Sequence, residues 1–261
     1  MNLDDAFAQA VHIPQGETYP PRWTREAADF RHEMGTRAEL AVSYGPGPRQ
    51  VYDLFHCEGE AAGTLVFVHG GYWLRNDRTL WSHLARGALA RGWNVAVVQY
   101  DLCPDVSIAE VTGQIACAVT QIAERSNGPL SLTGHSAGGQ LVARMLAPGV
   151  LKNDILQRVA RVAPIAPVAD LRPLLQTSMN EHFRMDMAAA EAESPVLQPA
   201  PETAVRIWVG AEERPALLEQ ADALADAWEV PLIVVPDRHH FDIIDALCDP
   251  QSDMIRFLTL Q

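Results

Sequence analysis

Hydrophobic residues follow two different periods along this chain. Apolar runs that do not alternate with polar residues occupy residues 64–68, 94–98, 130–133, 159–165, 205–209 and 232–235. Such runs, rich in β-branched residues, are typical of strands in a parallel sheet that is covered on both faces. Two alternating segments, residues 39–44 and 50–55, flank a Gly-Pro-Gly-Pro turn and predict an antiparallel hairpin.

Helical patterns lie between these runs. Apolar residues recur at helical spacing in residues 78–91, 108–125, 138–147, 215–228 and 242–258. Strands that alternate with helices predict an α/β fold, with a mostly parallel, twisted sheet of about eight strands and helices on both faces. We expect one domain over residues 1–261, with residues 1–38 as an N-terminal extension that contains a helix.

Residues 170–201 break the alternation of strands and helices. This stretch is rich in proline and has a methionine-rich centre. Long segments of this kind often form lids or pocket walls, so we predict a lid-like insertion here. Its polar residues include Ser178, Asn180 and His182.

Composition narrows the class of protein. The 261 residues are 48% hydrophobic and 20% charged, which excludes a disordered chain. The net charge, 20 − 33 = −13, argues against nucleic acid or an anionic membrane as partner. The sequence has no apolar run long enough to span a membrane, and residues 1–5 do not show a signal-peptide pattern. Its four cysteines have no Cys-x-x-Cys spacing. We therefore expect a cytoplasmic protein.

A Gly-x-Ser-x-Gly motif occupies residues 134–138, between a predicted strand and a predicted helix. A serine on a sharp strand-to-helix turn takes strained backbone angles, and glycines at positions 134 and 138 allow close approach of the neighbouring backbone. The alternative is a serine that only caps the helix. The strand–turn–helix context favours Ser136 as a nucleophile.

A second motif, His-Gly-Gly-Tyr-Trp at residues 69–73, follows an earlier strand. Backbone N–H groups at glycines stabilise an oxyanion without interference from side chains. Candidate donors are Gly70, Gly71 and Tyr72, together with Ala137 directly after the serine. The alternative is a tight glycine turn at the end of a strand.

These two motifs, together with His-Phe-Asp at residues 240–242, resemble the α/β-hydrolase fold. Within that fold the chain is similar to the serine-dependent kynurenine formamidases, or arylformamidases, and to related carboxylesterases. The likeness covers roughly residues 39–258, and the hairpin at residues 44–55 is part of it. The aromatic pair after the glycines is fairly specific to this group. The resemblance implies hydrolysis of N-formyl-L-kynurenine to L-kynurenine and formate, a step of tryptophan catabolism.

The resemblance also implies the partners of Ser136, in the order serine, acid, histidine. It makes His240 the general base, and histidine has a pKa suited to that role at neutral pH. His239 is then a loop or wall residue. The family's spacing favours Glu213 as the acid, while Glu212 stays open as an alternative. Adjacent histidines without a nearby cluster of other ligands do not indicate a metal, and no cofactor is expected.

The expected chemistry is acyl transfer through Ser136, His240 and Glu213. Apolar walls suit an aromatic leaving group, so we expect Tyr72, Trp73 and Phe241 to flank it. Candidates for contacting the amino-acid end of the implied substrate are Ser178, Asn180 and His182 of the insertion. The partner is then a small aromatic formamide or ester, and a homodimer stays open. Two alternatives remain: a short-acyl carboxylesterase with the same three residues, and a binding protein without catalysis.

Overall fold

The computed structural model describes residues 3–260 and shows one mixed sheet of nine strands within that range. The strands are β1 (Ala38–Ser43), β2 (Val51–Phe55), β3 (Thr64–Val68), β4 (Asn94–Val98), β5 (Leu130–His135), β6 (Val159–Ile165), β7 (Ala204–Val205), β8 (Ile207–Gly210) and β9 (Leu232–Val235). Their order is β1-β2-β4-β3-β5-β6-β8-β9, with β7 paired to β6. Among these strands only β2 runs opposite to the rest, antiparallel to β1 and β4, and all other pairs are parallel, so the α/β-hydrolase architecture expected from the sequence is confirmed.

Helices cover both faces of the sheet. They are α1 (Leu3–Ala6), α2 (Tyr19–Met34), α3 (Arg86–Leu89), α4 (Ile108–Arg125), α5 (Ala137–Arg144), α6 (Asn153–Leu156), α7 (Asn180–Phe183), α8 (Met187–Ala192), α9 (Pro215–Trp228) and α10 (Asp253–Leu258). No helix among residues 3–260 has the length and apolar character needed to cross a membrane.

The sheet separates two hydrophobic cores. Alternate side chains of β3 show the division, because Val66 and Val68 pack with α4, α5 and α9 while Leu65 and Phe67 pack with α2 and α10. All five residues of β3 are buried. Burial on both faces explains why the central strands read as continuous apolar runs.

Two predicted helices are shorter and less regular than their sequence patterns suggest. Residues 78–91 form two 3-10 turns and the four-residue α3, and residues 242–258 form a 3-10 turn followed by α10. Most apolar residues of both segments are nevertheless buried in the second core or packed against it. The apolar spacing therefore reported the buried face correctly, but it did not report the type of helix.

The parallel strands bring several loops to one edge of the sheet. The segments that follow β3, β5, β8 and β9 all leave from the carboxyl ends of adjacent or nearly adjacent strands. Ligands of open α/β sheets bind at this edge. The two sequence motifs, the candidate acids and the histidine pair all lie there.

Candidate active site

Ser136 occupies a strained turn between β5 and α5. Its φ of 58° and ψ of −118° lie in a region that residues other than glycine rarely adopt. Its backbone N–H donates to the Ile165 carbonyl at 2.8 Å, which fixes the turn to β6. A Cβ at Gly138 would overlap the Val68 carbonyl, so the helix can approach β3 only because this position is glycine.

His240 pairs with a carboxylate in the loop after β8. Its Nδ1 lies 2.8 Å from Glu213 Oε2, and the two side chains are 5% and 1% exposed. The neighbouring Glu212 is exposed, and its backbone N–H donates to the Arg238 carbonyl. Of the two glutamates, only Glu213 contacts the imidazole.

Ser136 and His240 line the same cavity. In the described part of the chain, Ser136 Oγ and His240 Nε2 do not form a hydrogen bond. Such bonds are often long in free enzymes and tighten only in the complex with substrate. The contact of Glu213 with Nδ1 leaves Nε2 as the ring nitrogen available to a hydroxyl.

The glycine loop after β3 has an unusual backbone. Gly71, Tyr72 and Trp73 follow one another with φ of 120°, 52° and 55°. Three consecutive left-handed residues reverse the chain tightly above the sheet. The N–H groups of Gly70, Gly71 and Tyr72, and that of Ala137, donate to no acceptor among residues 3–260. These four predicted donors are therefore unpaired beside the Ser136 turn.

Two buried histidines near Ser136 are held neutral. Burial lowers the pKa of His69 to about 4, and its Nδ1–H donates to the Gly70 carbonyl at 2.8 Å. Burial also lowers the pKa of His135 well below its usual range, and its ring packs 4.4 Å from that of His240. The neutral rings support the loops and add no positive charge beside His240.

His239 is fixed by its own contacts. Its Nδ1 accepts from the Phe241 backbone N–H at 3.1 Å, and its Nε2 lies 3.1 Å from the Tyr19 hydroxyl. Both ring nitrogens are thus engaged in holding the loop that carries His240. This agrees with the assignment of His239 as a loop residue.

The cavity above Ser136 has a volume of about 230 Å³. Its aromatic wall consists of Trp23, Tyr72, Trp81 and Phe241. Trp23 packs against both Trp81 and Phe241, with ring centroids 4.8 and 5.2 Å apart. A flat apolar group would have aromatic surfaces on several sides here.

Trp73 does not lie on this wall, contrary to the sequence-based prediction. It is fully buried, packs edge-on against Phe183 at 5.6 Å and donates its indole N–H to Gln140. The left-handed φ of Trp73 turns the side chain into the core instead of the cavity. Tyr72 and Phe241 do line the cavity as expected.

The cover of this cavity comes from the N-terminal segment, residues 3–19. Gln9, Ala10, Gly16 and Glu17 line the cavity together with residues of α2, whereas no described residue of 170–201 lines it. Ser178, a candidate for substrate contact, instead donates to Asp4 at the surface. Asn180 bonds Met185 within the insertion, and His182 does not line the cavity.

The N-terminal segment contacts the glycine loop after β3 and the loops that carry Glu213 and His240. The Tyr72 hydroxyl donates to the Phe7 carbonyl at 2.7 Å. Arg214, which follows Glu213, pairs with Asp5 at 3.0 Å, and Tyr19 contacts His239.

Two of the groups in these contacts have shifted pKa values. A hydrogen bond from His12 lowers the pKa of the Asp5 carboxyl, while burial raises the pKa of the Tyr72 hydroxyl to about 12.

Two charged side chains also line the cavity. Arg75 and Glu17 are both exposed there and carry opposite charges. Neither has an ion pair or hydrogen bond through its side chain within residues 3–260. Two separate, unpaired charges suit a ligand that carries one charge of each sign.

Comparisons with known proteins agree with this geometry. Residues 65–232 match a family model described by the alpha/beta hydrolase fold. The chain belongs to the α/β-hydrolase family. Its fold, its loops at the carboxyl edge and its strained serine turn are those of a hydrolase.

Individual relatives refine the type of hydrolase. A kynurenine formamidase of Drosophila melanogaster is 30% identical over 98% of this chain and 96% of its own length. One from Salmo salar is 26% identical over 84% of this chain and 80% of its own. A crystal structure from Silicibacter sp. TM1040, provisionally called a thioesterase, is 51% identical with a TM-score of 0.98 over 99% of both chains. This enzyme is a hydrolase of the kynurenine formamidase and esterase type.

Sequence reasoning missed several residues of the hydrolase cavity. Trp23, Trp81, Glu17 and Arg75 are separated along the chain and belong to no shared motif. Of the three aromatic residues that pack together here, Trp23, Trp81 and Phe241, only Phe241 belongs to a recognised motif. The packing of the N-terminal segment over Ser136 brings the others together, and local periodicity carries no signal for it.

Proposed function

We propose that this hydrolase cleaves N-formyl-L-kynurenine to L-kynurenine and formate, with Ser136 as nucleophile, His240 as general base and Glu213 as its acid partner. The observation that carries the proposal is the meeting, in one aromatic cavity, of Ser136 with the paired His240–Glu213. The formamidase relatives support the choice of substrate.

The reaction proceeds by formyl transfer. His240 Nε2 takes the proton of Ser136 while Oγ attacks the formyl carbon, and the resulting oxyanion accepts hydrogen bonds from the unpaired N–H groups of Gly71, Tyr72 and Ala137. The C–N bond breaks, and the leaving aniline nitrogen receives the proton from His240. Water then attacks the formyl ester with His240 again as base, which releases formate and restores Ser136.

The cavity suits both ends of the substrate. The aromatic wall of Trp23, Trp81 and Phe241 accommodates the aniline ring. Of the charged lining residues, Arg75 matches the α-carboxylate and Glu17 matches the α-ammonium group. A neutral aryl ester would use the aromatic wall but neither charge.

The decisive test is kynurenine release, followed by absorbance with wild type and Ser136→Ala. We expect a loss of at least about 10³-fold in kcat, because removal of the nucleophile leaves only binding and oxyanion contacts. Kynurenine release by Ser136→Ala at the wild-type rate would overturn the mechanism.

A parallel assay separates the remaining candidates. Turnover of phenyl acetate or a short acyl thioester at a higher kcat/KM than N-formyl-kynurenine favours a general esterase with the same three residues. Failure of wild type to react with a phosphonylating reagent at Ser136 favours a binding protein without catalysis.

A further inference from the structure

The proposed oxyanion hole draws its donors from two separate segments. Gly71 and Tyr72 lie in the loop after β3, while Ala137 is the first residue of α5. Donors of this kind act only when they are held within a fraction of an ångström of the oxyanion position. Some contact must therefore fix the glycine loop relative to the helix.

One hydrogen bond joins the two segments. The Trp73 indole Nε1–H donates to Gln140 Oε1 at 3.2 Å, and it is the single hydrogen bond between residues 69–76 and α5 among the described residues. Both side chains are completely buried. Because indole is only a donor, the bond requires the amide oxygen to face Trp73.

A second bond sets the orientation of that amide. Gln140 Nε2 donates to the Glu193 backbone carbonyl at 2.9 Å. A carbonyl is only an acceptor, so the amide nitrogen must face Glu193 and the oxygen must face the indole. Each end of the amide thus has one fitting partner.

Glu193 is itself held rigidly. Its buried carboxylate accepts from the Thr112 hydroxyl at 2.6 Å and from Arg144 Nε at 3.2 Å. Thr112 belongs to α4 and Arg144 to α5, whereas Glu193 belongs to the 170–201 insertion. The insertion therefore packs behind α5 and supports Gln140 from the side away from the cavity.

We propose that Gln140 is a positioning residue that fixes the two halves of the oxyanion hole relative to each other, with Glu193 as its support. The inference rests on the proposed function of Ser136. Trp73 closes a run of three left-handed residues, a conformation that persists only where its surroundings hold it. Without the Gln140 bond, the loop relaxes and the Gly71 and Tyr72 donors move away from the oxyanion.

The test uses Gln140→Leu, Trp73→Phe and the double variant. Gln140→Leu replaces the amide by an apolar side chain and removes both hydrogen bonds, and Trp73→Phe removes the indole donor while keeping an aromatic ring. We expect each single variant to lower kcat about 10- to 100-fold with KM changed less than about twofold. The double variant should be no slower than the slower single variant, because both remove the same bond.

An inhibitor measurement separates positioning from simple stability. A boronate that forms a tetrahedral adduct with Ser136 should lose affinity in parallel with kcat/KM, whereas a ground-state product such as kynurenine should bind as in wild type. Gln220→Leu is the matched control, because Gln220 is also buried and bonds the backbone of Ala169 and Asp170 away from the cavity. We expect it to lower Tm without changing kcat.

An unchanged kcat in Gln140→Leu, or losses that multiply in the double variant, would overturn the proposal. If Gln140→Leu fails to fold, Trp73→Phe alone decides through kcat and boronate affinity. A wild type that hydrolyses phenyl acetate but not N-formyl-kynurenine contradicts the proposed substrate only, and the same variants are then compared with phenyl acetate. Full activity in Ser136→Ala contradicts the oxyanion hole itself.

Discussion

Glu212 and Glu213 are chemically identical neighbours in very different surroundings. Glu213 is buried with one carboxylate oxygen on His240 Nδ1 and the other on the Arg214 backbone N–H. Glu212 points into solvent. The proposed acid orients the imidazole and stabilises its charged form. Of the two glutamates, only the buried Glu213 is placed to do this.

Glu212 and Glu213 allow the same substitution to be compared at a buried and at an exposed position. Glu213→Gln is expected to lower kcat roughly 10³-fold, because a neutral amide cannot stabilise the imidazolium that forms during attack. Glu212→Gln is expected to keep wild-type kcat and KM. Steady-state kinetics with N-formyl-kynurenine and phenyl acetate checks both, and equal losses in the two variants would contradict the assignment of Glu213.

Arg75 gives a test of substrate recognition. Arg75→Gln removes the proposed partner of the substrate carboxylate, so kcat/KM for N-formyl-kynurenine should fall about tenfold through KM. Phenyl acetate carries no carboxylate, and its kcat/KM should stay at the wild-type value. Arg25→Gln, at an exposed position of α2 outside the cavity, is the control. Equal effects on both substrates would exclude the proposed contact.

At the scale of elements, the approach of α5 to β3 is the feature that sets the serine turn. Gly138→Ala would press a methyl group onto the Val68 carbonyl, so the helix and Ser136 must shift. We expect a loss of more than about 2 kcal/mol in the free energy of unfolding, together with loss of activity. Chemical denaturation and kynurenine release measure the two effects.

Gly113→Ala is the control for that substitution. Gly113 lies on the exposed side of α4, and a Cβ there meets no atom within 4 Å. Alanine should stabilise this helix by about 0.5–1 kcal/mol without affecting activity. A similar stability change in both variants would show that close packing at Gly138 is not the cause.

Sequence patterns predicted the elements that depend on local burial. The strand runs and the long helices α4 and α9 appear close to their expected positions, and the motif at residues 134–138 lies on the expected turn. The 3-10 turns at residues 78–85 and 243–248 were not predicted, because apolar spacing reports a buried face and not the hydrogen-bond pattern beneath it.

The cover of the cavity could not be predicted for a different reason. It depends on contacts between residues far apart in sequence, such as Asp5 with Arg214 and Tyr19 with His239. Exposed polar residues and single aromatics carry no periodic signal of such contacts. Sequence reasoning therefore expected a lid in residues 170–201, whereas the N-terminal segment covers Ser136 in the structure.

At the scale of the whole molecule, buried histidines couple folding to pH. Burial lowers the pKa of both His69 and His83 to about 4, against an ordinary value near 6.5. Their contribution to stability is complete above about pH 6.5 and is lost as pH falls towards 4, because the unfolded chain then binds protons that the folded chain does not. Each such histidine lowers the free energy of unfolding by about 1.4 kcal/mol for every pH unit of acidification within that window.

The free energy of unfolding is therefore expected to fall steeply between pH 6.5 and pH 4, as urea denaturation at a series of pH values would measure. His83→Gln should reduce the slope in this window, since one buried titrating ring is removed. His182→Gln, at an exposed position, should leave the slope unchanged. An identical slope in wild type and His83→Gln would contradict a neutral buried His83.

The N-terminal segment has a further consequence for how the enzyme acquires activity. Its contacts with Arg214 and His239 close loops of 209 and 220 residues, among the longest separations in the chain. Contacts of such high sequence separation carry the largest closure entropy and tend to form late. During refolding or synthesis, the sheet and both cores can thus form before the N-terminal segment completes the substrate cavity.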